Sequence, residues 1–242
     1  MDPAGAAADR PLSRRHVSVA WGVHLFTASG AVMGALALGA IARGHHSTAA
    51  LWMLAAFAVD SVDGTLARRA RVTEVLPGFD GRRLDDMVDY LNYVVVAAVF
   101  MAATGHLPGW LWTAVPILAS AYGFSQVHAK TPDGFFRGWP SYWNVVALYL
   151  WLLGVSPWVG LAWVAGFAAL IFIPLKYLYP SQMRLFRRAT LLGAAVWMVV
   201  LALASLAPGS GWSRVLVWIS LAFPAWYLGL SLYVGGWRRS VP

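Results

Sequence analysis

The 242-residue chain is 60% apolar and only 12% charged, with a mean hydropathy of +0.62, 14 Trp and no Cys. Soluble domains carry about a quarter of their residues as charges, so this composition excludes a disordered chain, a disulfide scaffold and a conventional water-soluble enzyme. It calls for a polytopic membrane protein, and the net charge of +8 must be explained by where the 18 Lys and Arg fall.

Residues 1–9 read as a small disordered tail, and 10–20, with Arg10, Arg14 and Arg15, as a juxtamembrane segment lying partly along the interface. A hydrocarbon core about 30 Å thick takes about 20 apolar residues in a helix. That template fits at 17–42, 48–67, 82–104, 109–129, 141–154, 157–175, 188–207 and 213–234, the fifth being short enough for a bent or partial crossing. Gly44, the Pro77-Gly78 pair and Leu107-Pro108-Gly109 punctuate the boundaries. The first apolar stretch, about 25 residues long, exceeds a signal h-region and reads as a retained helix.

Alternating the segments between two sides puts sixteen of the eighteen Lys and Arg on one side, leaving only Arg43 and Arg214 opposite. The positive-inside rule then makes that side cytoplasmic, with both termini on it. The sequence thus predicts an all-α polytopic helical bundle of about eight transmembrane helices, forming one membrane-embedded domain over 1–242. Its basic balance serves membrane lipids and not nucleic acid.

Ten acidic residues are present, and seven lie between 60 and 89. Carboxylates at the ends of membrane helices are costly unless paired, hydrated or bound to metal, so they mark a functional site. Asp60 and Asp63 are three apart at the end of the second span and share a face. Gly81, Asp85, Asp89 and Tyr93 recur every fourth residue along the third. Two adjacent antiparallel helices would aim four carboxylates at one another, with Gly64, Arg68 and Gly81 at the rim. Glu74, Asp80 and Asp86 fall off these stripes and read as partners of neighbouring Arg residues.

Four unneutralised carboxylates would repel one another, so the arrangement calls for cations. All-oxygen ligands without Cys suit a hard ion, Mg²⁺ or Mn²⁺, and four acids can hold two of them. Two such ions beside an Arg describe a site for a pyrophosphate-bearing substrate.

Written out, the segment is Asp60-x2-Asp63-Gly64-x2-Ala67-Arg68-x12-Gly81-x3-Asp85-x3-Asp89. It resembles the signature of the CDP-alcohol phosphotransferase family, membrane enzymes that transfer a phosphatidyl or phosphoryl-lipid group from a CDP-activated donor to an alcohol. The twelve-residue spacer, longer than in most of the family, is similar to that of a bacterial branch that uses choline as the acceptor. The resemblance implies that Asp60, Asp63, Asp85 and Asp89 hold two Mn²⁺ or Mg²⁺ ions, with Asp89 also the general base. It implies that Arg68, Gly64, Ala67 and Gly81 receive the nucleotide and pyrophosphate. On the first span Thr27 matches a nucleotide-side position of the family, and His24 stands where many members have Asn. A bacterial inner-membrane location, a cytoplasm-facing site, CDP-diacylglycerol and choline as substrates, and a homodimer follow from the same resemblance.

A quaternary ammonium acceptor has no N–H to donate and needs aromatic faces with negative charge nearby. Tyr93, Trp139, Tyr142 and Trp143 are the candidates, set against an ordinary interfacial aromatic belt. A phosphate-bearing acceptor, or inositol or serine, is the same-family alternative, and the phosphate-bearing one would require Lys130, Arg137 or Lys176 to face the pocket. A divalent-metal transporter is the alternative from another class. The acids gather at one membrane face, which argues against a continuous ion path.

Overall fold

The computed structural model describes residues 14–180 and 186–236. The tail at 1–9, residues 10–13 of the juxtamembrane segment, and Arg184, Arg238 and Arg239 lie outside them. Three long helices come first. Helix α1 is Arg14–Ala42, α2 is His46–Arg69, and the third span runs over Gly81–Ala103 as α4 (Gly81–Asp89), a π-helical stretch (Tyr90–Val96) and α5 (Ala97–Ala103).

The inner stripe of α1 is made of small residues, with Ala20, Thr27, Gly30, Gly34, Ala37 and Ala40 all buried. Small side chains at helical spacing let backbones approach closely, the usual means of helix association where lipid supplies no hydrophobic drive. Gly34 shows how close: a Cβ there would lie 2.6 Å from Asn92 Oδ1. Residues 14–20, read from sequence as part of an interfacial segment, are the first turns of α1 and continuous with it.

Between α2 and the third span, the spacer folds as a one-turn helix, α3 (Val72–Val75), entered through Arg71 at φ 51°. Val72 and Val75 are buried against Ala20 and Val23 of α1. Val72 and Val75 of the spacer therefore make a small apolar wedge against α1. Asp80 then caps α4, its carboxylate accepting from the Arg83 amide at 3.0 Å.

Helix α6 (Ala114–Phe124), led in by a 3₁₀ turn at Trp110–Thr113, is followed by α7 (Trp143–Leu152) and α8 (Pro157–Phe172). The chain closes with α9 (Arg187–Leu206), α10 (Gly211–Ser220) and α11 (Ala222–Val234). Among the described residues five helices are long and apolar enough to cross a membrane: α1, α2, the third span, α9, and α10 with α11 as one unit. Helices α7 and α8 are apolar but shorter. All eight segments marked in the sequence contain helix.

Trp143, Phe100, Met101, Leu148 and Leu201 fill the centre of the bundle. Large apolar side chains also point outward, Leu25, Leu111, Leu192 and Trp218 among them. A soluble surface would not carry them in such number, and a lipid-facing one does. Inside, Trp197 of α9 donates to the Tyr149 hydroxyl of α7 at 2.9 Å, which in turn pairs with Ser220 of α10 at 2.8 Å.

One departure from an all-helical fold is a small antiparallel ladder. Strand β1 (Phe135–Arg137) pairs with β2 (Lys176–Leu178), joining two loops that the sequence left irregular. Leu178 is held to α11 through Ser231 and Tyr227. The loop carrying Lys130 is thereby fastened beside the acids.

Candidate active site

Helices α1, α2 and the third span meet around the acids. Asp60 and Asp63 come from α2 and Asp85 and Asp89 from α4, as their i+3 and i+4 spacings require. One carboxylate oxygen from each of Asp60, Asp85 and Asp89 lies within 4.8 Å of the others. Asp63, almost wholly buried, sits against the Thr27 hydroxyl of α1. Thr27, Asp60, Asp63 and Asp89 line one narrow cleft between the three helices.

These donors fit a hard divalent cation. They are carboxylate oxygens, they converge from two helices, and Asp60, Asp85 and Asp89 are partly accessible, so an ion could reach them without unfolding the bundle. Among the described residues Lys130 is the cation in ion-pair contact with this group, and Arg82 adds a longer-range positive charge at Asp85. Lys130 Nζ lies 3.3 Å from Asp86 and 3.8 Å from Asp85. Burial pulls the Lys130 ammonium down, but the carboxylates of Asp86, Asp85 and Asp89, with Tyr179, outweigh that and hold it above its ordinary value. Lys130 is a charged counter-ion on the rim.

The nucleotide-side residues are distributed as follows. Arg68 is exposed, donates to Thr65 at 3.1 Å and lies over Gly64, where a Cβ would come 3.3 Å from its guanidinium. Among the described ion pairs none involves Arg68, so its charge is available to an incoming anion. Ala67 packs against the Val72–Val75 wedge. Gly81 lies against α1: a Cβ there would come 2.5 Å from the His24 ring, so the glycine lets the two helices approach closely. His24 is buried beside Phe79 at 4.5 Å, and its Nε2 has no hydrogen-bond partner.

The four aromatic candidates separate. Trp143 is fully buried, and its indole N–H donates to Ser120 at 2.6 Å. Trp139 is 5% exposed and stacks on Phe167 at 4.7 Å. Trp143 opens α7 and Trp139 lies in the loop before it, and both rings are packed inside the protein, away from the carboxylates' accessible side. Tyr93 is 6% exposed, its ring lies against Phe57 and Tyr142, and its hydroxyl donates to Asp60 Oδ2 at 2.5 Å. Tyr142 keeps partial exposure, packed on Tyr93 at 6.0 Å and Tyr227 at 5.9 Å.

Two features were not found from sequence. Asn92 ties the third span to α1 by donating to the Gly30 carbonyl at 3.0 Å, and the contact between Tyr93 and Asp60 joins that span to α2. Both partners lie on other helices, beyond the reach of a spacing rule. Of the off-stripe acids, Glu74 pairs with Arg71, while Asp80 is a helix cap and Asp86 meets Lys130 instead of an Arg. On the other flank of α4 a groove of about 430 Å³ opens toward α6, lined by Arg82, Arg83, Met87, Tyr90 and Phe124.

Of the other basic residues near this surface, Lys176 is buried and its ammonium is held by Asp133 at 2.6 Å, with the Phe135 ring 5.5 Å away. That hydrogen bond, helped by Thr131, holds the Asp133 carboxyl below its ordinary value. Arg137 is exposed at the end of β1.

Comparison with known proteins adds to this geometry. Residues 23–175 match the family model described as CDP-alcohol phosphatidyltransferase. A protein of Pseudomonas aeruginosa named phosphatidylcholine synthase is 41% identical over 183 residues, covering 74% of this chain and 77% of its own length. One from Legionella pneumophila with the same name is 43% identical, covering 72% and 69%. A third, from Legionella bozemanae, is 36% identical and covers 82% and 94%.

Proposed function

The chain belongs to the CDP-alcohol phosphatidyltransferase family, and from that premise we propose that it transfers the phosphatidyl group of CDP-diacylglycerol to choline, giving phosphatidylcholine and CMP. Family membership makes it an enzyme, and the names of its bacterial relatives support the choice of acceptor. The observation that carries the acceptor reading is the state of the two lysines nearest the acids. Lys130 is engaged by Asp85 and Asp86, and Lys176 by Asp133. Of the three cations a phosphate-bearing acceptor would need, both lysines are engaged and only Arg137 is without an ion pair among the described residues, whereas a quaternary ammonium would meet carboxylates and the Tyr142 ring.

In this reading Asp60, Asp63, Asp85 and Asp89 hold two divalent cations, Mn²⁺ or Mg²⁺. When bound, these ions offset the charge of the donor pyrophosphate and of the departing CMP. Arg68, lying over Gly64, meets the pyrophosphate, Thr27 lies on the nucleotide side with Asp63, and Ala67 seats the helix end that carries Arg68. Asp89 takes the proton of the choline hydroxyl as its oxygen forms a bond to the phosphorus that bears diacylglycerol. The bond from that phosphorus to the bridging oxygen breaks, and its electron pair leaves with CMP. The donor lipid approaches along the groove lined by Met87 and Phe124 on its apolar side and Arg82 and Arg83 on its polar one.

The same reading has the chain cross a bacterial inner membrane eight times as a single catalytic domain. The three shorter helical segments would complete the five long ones, with both termini and the acids on the cytoplasmic side. A homodimer is the assembly the family implies.

The test is CMP release from CDP-diacylglycerol by the purified protein in detergent with Mn²⁺, offering choline, serine, inositol and glycerol 3-phosphate separately. Release with choline alone is the expected result. Release with another of these alcohols and none with choline would overturn the acceptor and keep the family chemistry.

A further inference from the structure

Tyr93 lies one turn beyond Asp89, within the π-helical stretch Tyr90–Val96. Such stretches are rare and concentrate at functional sites, because the altered turn re-aims side chains that a regular helix would align differently. Two consecutive residues in this one serve two different neighbours. Asn92 faces α1 and bonds the Gly30 carbonyl, while Tyr93 faces α2 and donates to Asp60 Oδ2 at 2.5 Å.

The phenol has little freedom. The Phe57 ring meets it edge-on at 5.7 Å, Tyr142 covers it at 6.0 Å, and the residue is nearly closed to solvent. One Asp60 oxygen is thereby held, while Asp60 keeps an oxygen within 4.8 Å of oxygens on Asp85 and Asp89. Donors of this kind behind a ligand set its orientation, and their loss costs about 10- to 100-fold in metal affinity.

We propose that Tyr93 is a positioning residue that aims Asp60 at the cation shared with Asp85 and Asp89, and that it does not contact the acceptor. The inference rests on the reading of those three acids as a cation site. Removing the hydroxyl takes away this restraint on Asp60 and holds the cation more loosely, while the acceptor pocket is unchanged.

The test is a Mn²⁺ titration of the substrate-free protein in detergent, following the loss of the free-ion paramagnetic resonance signal. Wild type, Tyr93→Phe, Asp60→Asn and the double variant are compared. Tyr93→Phe should raise the Mn²⁺ dissociation constant about tenfold or more, with the KM for choline unchanged. The double variant should bind no more weakly than Asp60→Asn alone, because both changes act through one carboxylate. Phe57→Leu, which keeps the hydroxyl and loosens the ring, should shift Mn²⁺ affinity a few-fold in the same direction and covers the case in which Tyr93→Phe does not fold. Wild-type Mn²⁺ affinity in Tyr93→Phe, or in Phe57→Leu where it stands alone, would overturn the proposal and leave the cation site standing. So would a raised choline KM with unchanged Mn²⁺ affinity. Absence of Mn²⁺ binding by the wild-type protein would overturn the cation site, and this inference with it.

Discussion

Gly81 and His24 share one space: the Cβ that residue 81 lacks would lie 2.5 Å from His24 Cε1 and 3.2 Å from Nδ1. The first turn of the third span therefore docks on α1 through a missing side chain, and Asp85, four residues on, inherits that placement. Gly81→Ala should push the His24 ring aside at a cost of about 1–3 kcal/mol. The expected outcome is a melting temperature several degrees lower in detergent and CMP release reduced at least about tenfold. His24→Ala in the same chain should restore most of the melting temperature. A glycine required only for ligand access would show no such rescue.

Asp60 and Asp89 lie in the same cluster, and the proposed function gives them different tasks. Asp89→Asn keeps an oxygen donor and removes the proton acceptor, so turnover should fall by at least about 10². CDP-diacylglycerol binding, measured by equilibrium competition, should stay within a few-fold of wild type. Asp60→Asn should lower activity and raise the Mn²⁺ concentration needed for half-maximal rate together. Near wild-type rates in both variants would remove these carboxylates from the chemistry.

Tyr142 and Trp143 are neighbours with opposite surroundings. A cation over an aromatic face gains about 0.5–2 kcal/mol, so Tyr142→Leu should raise the choline KM by roughly 2- to 30-fold and leave the KM for the donor lipid unchanged. Trp143→Phe removes the donor to Ser120 in the helix interior. It should lower the melting temperature and leave the choline KM alone, which steady-state kinetics and thermal unfolding in detergent will separate.

Lys176 and Asp133 hold the loop between α6 and α7 against β2. The folded Asp133 carboxyl titrates below its unfolded counterpart. Its contribution is therefore complete above the ordinary carboxylate range, about pH 4, and is lost as the pH falls through the lower folded value. Asp133 is half exposed, so the gain is discounted to about 1 kcal/mol or less. Hydrogen exchange at Phe135–Arg137, corrected for intrinsic rates, should show constant protection from pH 5 to 8 and weaker protection below about pH 4. Asp133→Asn should show the weaker protection at neutral pH as well.

Much of this site was legible because the physics that builds it is local. Carboxylates at i, i+3 and i, i+4 must share helix faces, so Asp60 with Asp63 and Asp85 with Asp89 converge in the structure as their spacing requires. Hydropathy marked the long helices and the short fifth segment, but not that 110–124 and 157–172 would also be short, nor the one-turn helix Val72–Val75. The aromatic segment was harder. Composition cannot tell a ring turned inward from one facing a ligand, and Trp139 and Trp143 turned inward. Contacts between helices left no periodic trace: the Tyr93 hydroxyl finds Asp60 from 33 positions away, and β1 finds β2 across two helices. The close approach of Gly81 to His24 of α1 is likewise a contact between helices.

The central claim is that Asp89 and its companion acids transfer a phosphatidyl group from CDP-diacylglycerol to choline. The most direct measurement supplies isotopically labelled choline to the purified protein with CDP-diacylglycerol and Mn²⁺, and quantifies CMP and labelled lipid together. The expected result is CMP and labelled phosphatidylcholine formed one for one by the wild-type chain and by neither route in Asp89→Asn. CMP formed without labelled lipid, or labelled lipid formed equally by Asp89→Asn, would contradict it.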